Sequence, residues 1–257
     1  MKKILLLAAG LAMFMTSCSS DDSSKSASTG SRLTQIIETY DNGDIETVNF
    51  TYNGNKIVKY TTDYGDETLY TYTGNLITQE LYKFEDYDTG DMLEETIDFE
   101  YDSNDRLIKS TRTDEYGYVE IDNFTYNTNG TVSFITTASG STIANGIIYY
   151  NGNQPYKKEV TEEPGQIDEY SWTEENFFDN KVNPFNSVTG FSKIEIACPT
   201  YNRGFIGITN NVIEVKIDGE TEWSSVFTYN SNDMPDTEDY TEPFNSDFDS
   251  TCQYIYN

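Results

Sequence analysis

The feature that most constrains the fold is a short aromatic motif that recurs along the chain. A full copy has Phe or Tyr, one intervening residue and Tyr, followed by a run rich in Asn, Asp and Gly. Six segments carry it fully or in part: Phe50–Asn55, Tyr70–Asn75, Phe99–Asn104, Phe124–Gly130, Tyr149–Asn153 and Phe227–Asn232. Residues two apart on a strand point to the same face, and Asn-Gly pairs favour tight hairpin turns. Each copy therefore predicts a strand that runs into a turn, with its rings on one face.

The spacing of the motif predicts the architecture. The second Tyr of the first five copies falls at positions 52, 72, 101, 126 and 150, in steps of 20, 29, 25 and 24 residues. A second set of turn signals lies between the copies, at Asp63–Asp66, Asp86–Asp91, Asp114–Gly117 and Ser139–Ser141. Two strands then make one repeat. The prediction is an all-β fold: an antiparallel up-and-down meander of about 14 to 16 strands, forming a curved sheet or partly closed barrel. One short helical turn is predicted around Glu174 to Asp179.

The repeat resembles the YD (Rhs-type) repeats. The best match runs Tyr101-Asp102, a turn, Arg106-Leu107, a Thr, a Gly and then Phe124-Thr125-Tyr126, with Asp105 where the pattern has Gly. In other copies Lys56-Ile57 or Leu76-Ile77 replaces Arg-Leu. The resemblance implies a curved sheet or shell without shared catalytic residues. The chain also looks like bacteroidete lipoproteins built from such strands, and Asp179–Phe185 resembles a turn segment that recurs in them.

The N-terminus predicts export and a lipid anchor. Lys2 and Lys3 precede the apolar run Ile4–Met15, and the end of this run leads into the four residues Met15-Thr16-Ser17-Cys18. The last four residues resemble a lipobox, the bacterial lipoprotein signal in which the Cys is acylated. A spanning helix would need roughly 20 apolar residues, which disfavours an uncleaved anchor. An ordinary cleaved signal would not need Cys at the cut.

These features divide the chain into three parts. The predicted boundaries are a signal peptide at 1–17, lipidated Cys18 with a flexible Ser-rich linker at 18–31, and one β-meander domain at 32–257. Within that domain the YD-like repeats cover about 36–160, and 161–257 forms a non-repeat C-terminal part. Ser19–Asp22 resembles the acidic signal that sends such lipoproteins to the cell surface, although a solvated linker would look alike. The expected location is the outer membrane, held through the lipid alone and facing the exterior.

Composition narrows the function. The chain has 16 Lys and Arg against 44 Asp and Glu, a net charge of −28, and no His. Such a surface repels phosphate, so nucleic acid and direct docking on anionic lipid are not expected. Without His, the usual nucleophile triads and His-based metal sites are excluded. No cofactor is expected.

A few residues stand out as candidate sites. Cys198 and Cys252 can form one disulfide outside the cytosol, or remain two buried thiols. Trp172 and Trp223 are the candidates for exposed ligand-stacking rings. Asp86, Asp88 and Asp91 have alternate carboxylates as in a calcium loop, but Gly90 is one position too early and the closing Glu is missing.

The predicted function is that of a non-enzymatic binding or interaction protein for a glycan or a protein ligand. Two alternatives remain: a purely structural or shielding surface protein, and a His-free hydrolase that uses Asp and Glu. A transmembrane barrel would share the alternating pattern, but Tyr and Thr stand where a lipid-facing surface needs Leu and Val.

Overall fold

The computed structural model describes residues 31–86, 89–200, 209–244, 246 and 249–257. Their strands are β1 (Leu33–Tyr40), β2 (Ile45–Asn53), β3 (Lys56–Thr62), β4 (Glu67–Thr73), β5 (Leu76–Glu85), β6 (Met92–Tyr101), β7 (Leu107–Thr113), β8 (Val119–Tyr126), β9 (Val132–Ala138), β10 (Ser141–Asn151), β11 (Gln154–Glu162), β12 (Tyr170–Phe178), β13 (Val212–Ile217), β14 (Glu220–Tyr229), β15 (Pro235–Thr241) and β16 (Ser250–Tyr256). One short helix, α1 (Phe191–Ile194), lies between β12 and β13. Within these residues, no helix has the length and apolar character needed to cross a bilayer.

The strands form one closed antiparallel barrel in which each strand pairs with its neighbours in sequence. The first and last strands close it, with Ile36 opposite Tyr254 and Glu38 opposite Cys252. The all-β meander predicted from the sequence is therefore confirmed, and the sheet closes completely. The helical turn predicted around Glu174 to Asp179 is wrong: these residues belong largely to β12, because Glu174 and Asn176 alternate with exposed neighbours at the period of a strand.

Alternation along the strands separates a ring-lined interior from a polar exterior. On β8, Asp122 and Phe124 are buried, whereas Asn123 and Thr125 are exposed. In the first four copies of the motif both aromatic residues take interior positions and pack in or against the core, and in the fifth copy Tyr150 does so. The exterior carries Thr and charged residues, including the cross-strand ion pairs Lys59–Glu67, Lys83–Glu94 and Lys109–Glu100.

Because each repeat contains two strands, all copies of the motif lie at the same end of the barrel, here called the motif end. The chain enters β1 and leaves β16 at this end, where the backbone of Asn257 donates to the carbonyl of Arg32 at 3.0 Å. In most of these hairpins the register shifts by one residue just before the second Tyr, as at Tyr52, Tyr72 and Tyr101. Such a bulge bends the strand toward the next hairpin.

The structure gives a physical reason for the Arg-Leu positions of the repeat. The guanidinium of Arg106 lies 4.5 Å from the ring centre of Tyr126, and Lys56 lies 4.8 Å from that of Tyr72. The following Leu107 is buried in the core, so the pair covers a tyrosine with its cation and fills the lumen with its apolar side chain. Asp105 has a positive φ of 58°, the left-handed conformation for which the pattern uses Gly.

Gly146 on β10 provides a test of this packing. A Cβ there would lie 2.2 Å from the carbonyl oxygen of Glu159 and 2.6 Å from the ring of Phe134. We expect Gly146→Ala to lower the free energy of unfolding by about 2–3 kcal/mol, measured by urea denaturation, because the ring and the neighbouring strand must both move. As a control, Gly219→Ala meets nothing within 4 Å and has only its φ of +86° to strain it, at a cost of about 1 kcal/mol. An equal loss of unfolding free energy in Gly146→Ala and Gly219→Ala would contradict the close packing around Gly146.

Candidate functional site

The described part of the segment between β12 and β13 folds into the lumen from the motif end. Asp179 holds its two ends together: its Oδ1 accepts from the backbone N–H of Lys181 at 3.0 Å, and its Oδ2 accepts from the side-chain amide of Asn211 at 2.9 Å. The hydroxyl of Tyr229, in the last copy of the motif, donates to the same carboxylate. Asp179 therefore closes the base of a large insert, a role beyond the structural turn predicted for Asp179–Phe185.

The described part of this insert packs against the rings of the repeat. Phe185 lies 5.4 Å from Phe50 and 5.3 Å from Phe191, and Phe191 lies 5.8 Å from Tyr70, measured between ring centres. The insert also contributes Cys198 to the main core, together with residues that the sequence pattern did not single out: Val188, Phe191, Ile194, Ile196 and Ala197. Gly190, at a φ of +81°, lets the backbone approach Asn75 so closely that a Cβ at this position would lie 2.8 Å from the carbonyl oxygen of Asn75. The interior next to the first strands of the barrel is thus filled by the chain itself.

Beside this insert, the barrel wall opens between β11 and β12. The ladder of these strands ends with Lys157 opposite Glu175. In the described part of the chain, no ladder pairing joins residues 154–156 to 176–178, although β12 continues against β13 along its other edge. We call the gap between these two segments the lateral slot. A slot of this kind exposes backbone polar groups next to the side chains of both faces.

The slot combines aromatic rings with amides. Its cavity measures about 850 Å³, in the range of small-molecule sites, and opens between the inner and outer faces of the wall. The lining is formed by Tyr150, Asn151, Asn153, Gln154, Tyr156, Glu175, Asn176, Phe177, Phe178, Asp179, Thr209 and Asn210. A second cavity of about 530 Å³ shares Tyr150, Asn153 and Thr209 with it and continues toward the insert. Flat apolar rings beside amide donors and acceptors are chemically suited to a polar ligand with apolar faces.

Gln154 is the most informative residue of the slot. Its side chain is only 9% exposed, yet the amide nitrogen Nε2 has no hydrogen-bond partner in the part of the chain that the structure describes. An unpaired buried amide costs about 1–3 kcal/mol. Such a group is the kind of donor that a bound molecule would satisfy.

A second polar cluster lies in the lumen, away from the slot. Asp122 is buried and accepts from the hydroxyls of Ser110 at 2.8 Å and Thr136 at 2.7 Å. Burial raises the pKa of Asp122. Glu95 is paired with Arg112 at 2.5 Å. Hydrogen bonds therefore hold Asp122 inside the barrel, and an ion pair holds Glu95 there.

Glu80 lies close to this cluster. Burial and then the charge of Glu95 raise the pKa of Glu80 to about 7. Ionisation of this carboxyl is therefore opposed both by desolvation and by a like charge, and its pKa lies near neutral pH.

The lumen also contains a buried ion pair. Lys158 Nζ lies 3.2 Å from Glu174 Oε2, and both side chains are almost fully buried. The other oxygen of Glu174 accepts from the amide of Asn176 at 2.8 Å, and the ammonium lies 5.4 Å from the ring centre of Trp172.

The predicted disulfide is not formed: Cys198 and Cys252 are both free thiols. Cys198 belongs to the insert and lies near Asp122 of β8, whereas Cys252 on β16 lies near Glu238 and Glu38. In the strand order of the barrel, β8 and β16 are on opposite sides. Burial raises the pKa of both thiols.

The two tryptophans do not lie in the slot. Trp172 is half-buried against the core and donates from Nε1 to Glu162 at 2.8 Å, and Trp223 packs on Tyr240 at 5.5 Å. Their role as ligand-stacking residues stays a prediction.

The remaining predicted sites are only partly described. Asp86 accepts from the backbone N–H of Thr89 at 2.7 Å, as in an ordinary turn. Asp88 lies outside the described residues, as do Cys18 and the signal segment. Among the described residues, no group of three or more acidic or Cys side chains could hold a metal ion.

Comparison with known proteins identifies the class of fold. No protein-family model matches the chain, and comparison with curated proteins finds no match. Among solved structures, a porin-like protein from Bacteroides vulgatus ATCC 8482 matches 88% of this chain and 99% of that chain, with a TM-score of 0.53 at 12% sequence identity. A porin-like protein from Bacteroides uniformis ATCC 8492 matches 87% and 96%, with a TM-score of 0.47 at 11% identity. The likeness to the first of these structures extends to the barrel fold alone.

Sequence reasoning did not find the lateral slot. Gln154, Tyr156 and Phe177 stand in ordinary strand segments, and none belongs to a motif. The motif copy Tyr149–Asn153 directly precedes Gln154, but it signals a hairpin turn rather than a gap in the wall. Pro155 is the residue that could have pointed to the gap, because it lacks the N–H that a central ladder position needs.

Proposed function

We propose that this chain is a lipid-anchored, surface-exposed, non-catalytic protein that binds a glycan in the lateral slot. The observation that carries the proposal is the unpaired, buried amide of Gln154 in a cavity of about 850 Å³. A sugar presents hydroxyl groups to such an amide and C–H faces to rings. Tyr156 and Phe177 supply exposed rings on the outer side, and Tyr150 and Phe178 supply rings further in.

A binding role fits the slot better than hydrolysis. Asp179, one of the two carboxylates that line it, already accepts bonds from Lys181, Asn211 and Tyr229, which fix it as a structural group. The buried carboxylates Glu95 and Asp122 are held in the lumen by Arg112, Ser110 and Thr136. A glycosidase needs two carboxyls that flank the ligand. This arrangement supports the non-catalytic reading.

The exterior of the barrel supports attachment by lipid rather than by membrane-spanning strands. Transmembrane barrels carry an apolar outer band, and a Lys at the bilayer midplane costs about 2–4 kcal/mol. Here Lys59, Lys83 and Lys109 all lie on the outer face, each paired with a Glu of a neighbouring strand. The proposed attachment is acylated Cys18 in the outer membrane, with the barrel in water on the outside of the cell. The YD-like repeats would then serve as the scaffold of the barrel.

A glycan-array screen of the full-length lipidated protein in detergent tests the proposal. We expect at least one class of glycan to bind, and Phe177→Ala to weaken its Kd about tenfold, equivalent to 1.4 kcal/mol. As a matched control, Ile135→Ala removes an exposed side chain elsewhere on the outer wall and leaves the Kd unchanged. Binding to no glycan would overturn the proposal and favour a structural or shielding role.

Gln154→Leu gives a sharper result, because binding and stability should move in opposite directions. The substitution removes an unpaired buried amide and keeps its volume, so the free protein should gain about 1 kcal/mol of stability. The same change should weaken glycan binding about tenfold. Lower stability in urea together with unchanged affinity would show that the amide has a structural role only.

A further inference from the structure

The end of the barrel opposite the motif end has a distinct surface. Five of its turns follow one another around the rim: those after β15, β1, β3, β5 and β7. Each presents an apolar side chain to solvent in or directly beside the turn. These are Phe244 (75% exposed), Ile45 (54%), Tyr64 (61%), Met92 (58%) and Tyr116 (80%). The short hairpin turns of the motif end consist instead of Gly, Asn, Asp, Ser and Thr, with Arg106 and the buried Met234. We call this set of turns the apolar arc.

The apolar arc is also uniformly acidic. The stretches of sequence between the strands at this rim, 41–44, 63–66, 86–91, 114–118 and 242–249, contain no Lys or Arg. Described carboxylates surround the exposed rings, with Asp63 and Asp66 beside Tyr64, and Asp114 and Glu115 beside Tyr116. Exposed apolar side chains that are surrounded by charges of a single sign are typical of a surface that binds an oppositely charged partner.

The two tyrosine-bearing turns of the arc, at Asp63 and Asp114, are closed by hydrogen bonds. The turn at Asp114 is closed by its Oδ1, which accepts from the backbone N–H of Tyr116 at 3.0 Å and of Tyr118 at 2.8 Å. In the turn at Asp63, the N–H of Gly65 donates to the carbonyl of Thr62 at 3.3 Å. Tyr on rigid turns gives a large contact area at low entropic cost.

The position of the tether argues against the membrane as the occupant. The described chain begins at the motif end, so an anchor at Cys18 leaves the arc at the far end of the barrel. An anionic lipid surface would also be repelled by these carboxylates. We infer that the apolar arc docks a protein whose surface carries Lys and Arg around apolar side chains. This inference does not depend on the lateral slot or on its ligand.

Binding of cytochrome c, a basic protein with lysines around an apolar patch, tests the inference with the full-length protein in detergent. We expect binding that weakens with added salt. The double variant Tyr64→Ser/Tyr116→Ser, which changes no formal charge, should weaken it at least tenfold. The control Ile135→Ser/Val226→Ser removes two equally exposed apolar side chains from the barrel wall and should have no effect.

Two results would overturn the inference. The first is no binding, or binding that Tyr64→Ser/Tyr116→Ser leaves intact, since charge alone would then explain it. The second is binding of the unlipidated Cys18→Ser protein to phosphatidylcholine or phosphatidylglycerol vesicles that the same double variant abolishes, which would make the arc a membrane contact. Glycan binding at the slot should persist in Tyr64→Ser/Tyr116→Ser, so the two proposals fail separately.

Discussion

Lys158→Met is expected to lower the free energy of unfolding by about 3–5 kcal/mol in urea denaturation at neutral pH. Lys158 on β11 lies directly opposite Glu174 on β12, and both side chains face the lumen, out of contact with water. Removal of the ammonium leaves the Glu174 carboxylate buried without the cation that faces it across the two strands. Breaking a buried pair costs much more than the pair contributes, because the second charge stays behind.

Two variants control this experiment. Lys157 is the preceding residue and points outward to Glu159 at 3.0 Å, so Lys157→Met should cost under about 1 kcal/mol, as for other exposed pairs. The double variant Lys158→Met/Glu174→Met removes both charges and should recover most of the loss. If Lys158→Met costs no more than Lys157→Met, the pair is not buried as the structure has it.

Glu80→Gln is expected to stabilise the protein by up to about 3 kcal/mol at pH 8 and to leave it unchanged at pH 4. The folded-state pKa of Glu80 is raised from 4.5 to about 7, by burial and by the charge of Glu95. Between these two values the folded state binds more protons than the unfolded state. The stability of the parent protein therefore falls as pH rises through this window. The neutral amide of the variant does not titrate. The stability that Glu80→Gln gains over the parent protein therefore grows as pH rises between these two pKa values and is constant at higher pH.

Urea denaturation of both proteins at several pH values between 4 and 8 measures this difference. As a control, Glu100→Gln changes an exposed carboxylate paired with Lys109 and should alter stability by well under 1 kcal/mol at pH 8. A gain from Glu80→Gln that is equal at pH 4 and pH 8 would show that packing, rather than proton binding, is responsible.

The sequence predicted the architecture because the period of the strands and the chemistry of the turns are local. Phe99 and Tyr101 share a face whatever surrounds them, and the Asn- and Gly-rich runs after them form turns wherever the strand ends. Even the departure at Asp105 was visible in the sequence, and this residue has the left-handed conformation expected at that position. The resemblance to a lipobox at Cys18 is also purely local, and lipidation remains a prediction.

Contacts between distant segments could not be predicted in this way. The sequence offered a disulfide between Cys198 and Cys252 or two free thiols, and the insert directs Cys198 toward β8, across the barrel from β16. The Trp residues were singled out as exposed ligand-stacking rings, but Trp172 takes a lumen position set by the register of β12.

The sequence by itself determined an all-β meander, the inward row of rings and an acidic chain without histidine. Only the tertiary structure decided that the sheet closes, that the described part of the segment after β12 packs into the lumen, and that β11 and β12 part at Gln154. The reason is physical. The alternation of side chains along a strand and the φ angles of a turn are properties of a few adjacent residues. Closure of the barrel, filling of its lumen and the position of the lateral slot depend instead on the summed curvature of sixteen strands and on which side chains meet across the interior.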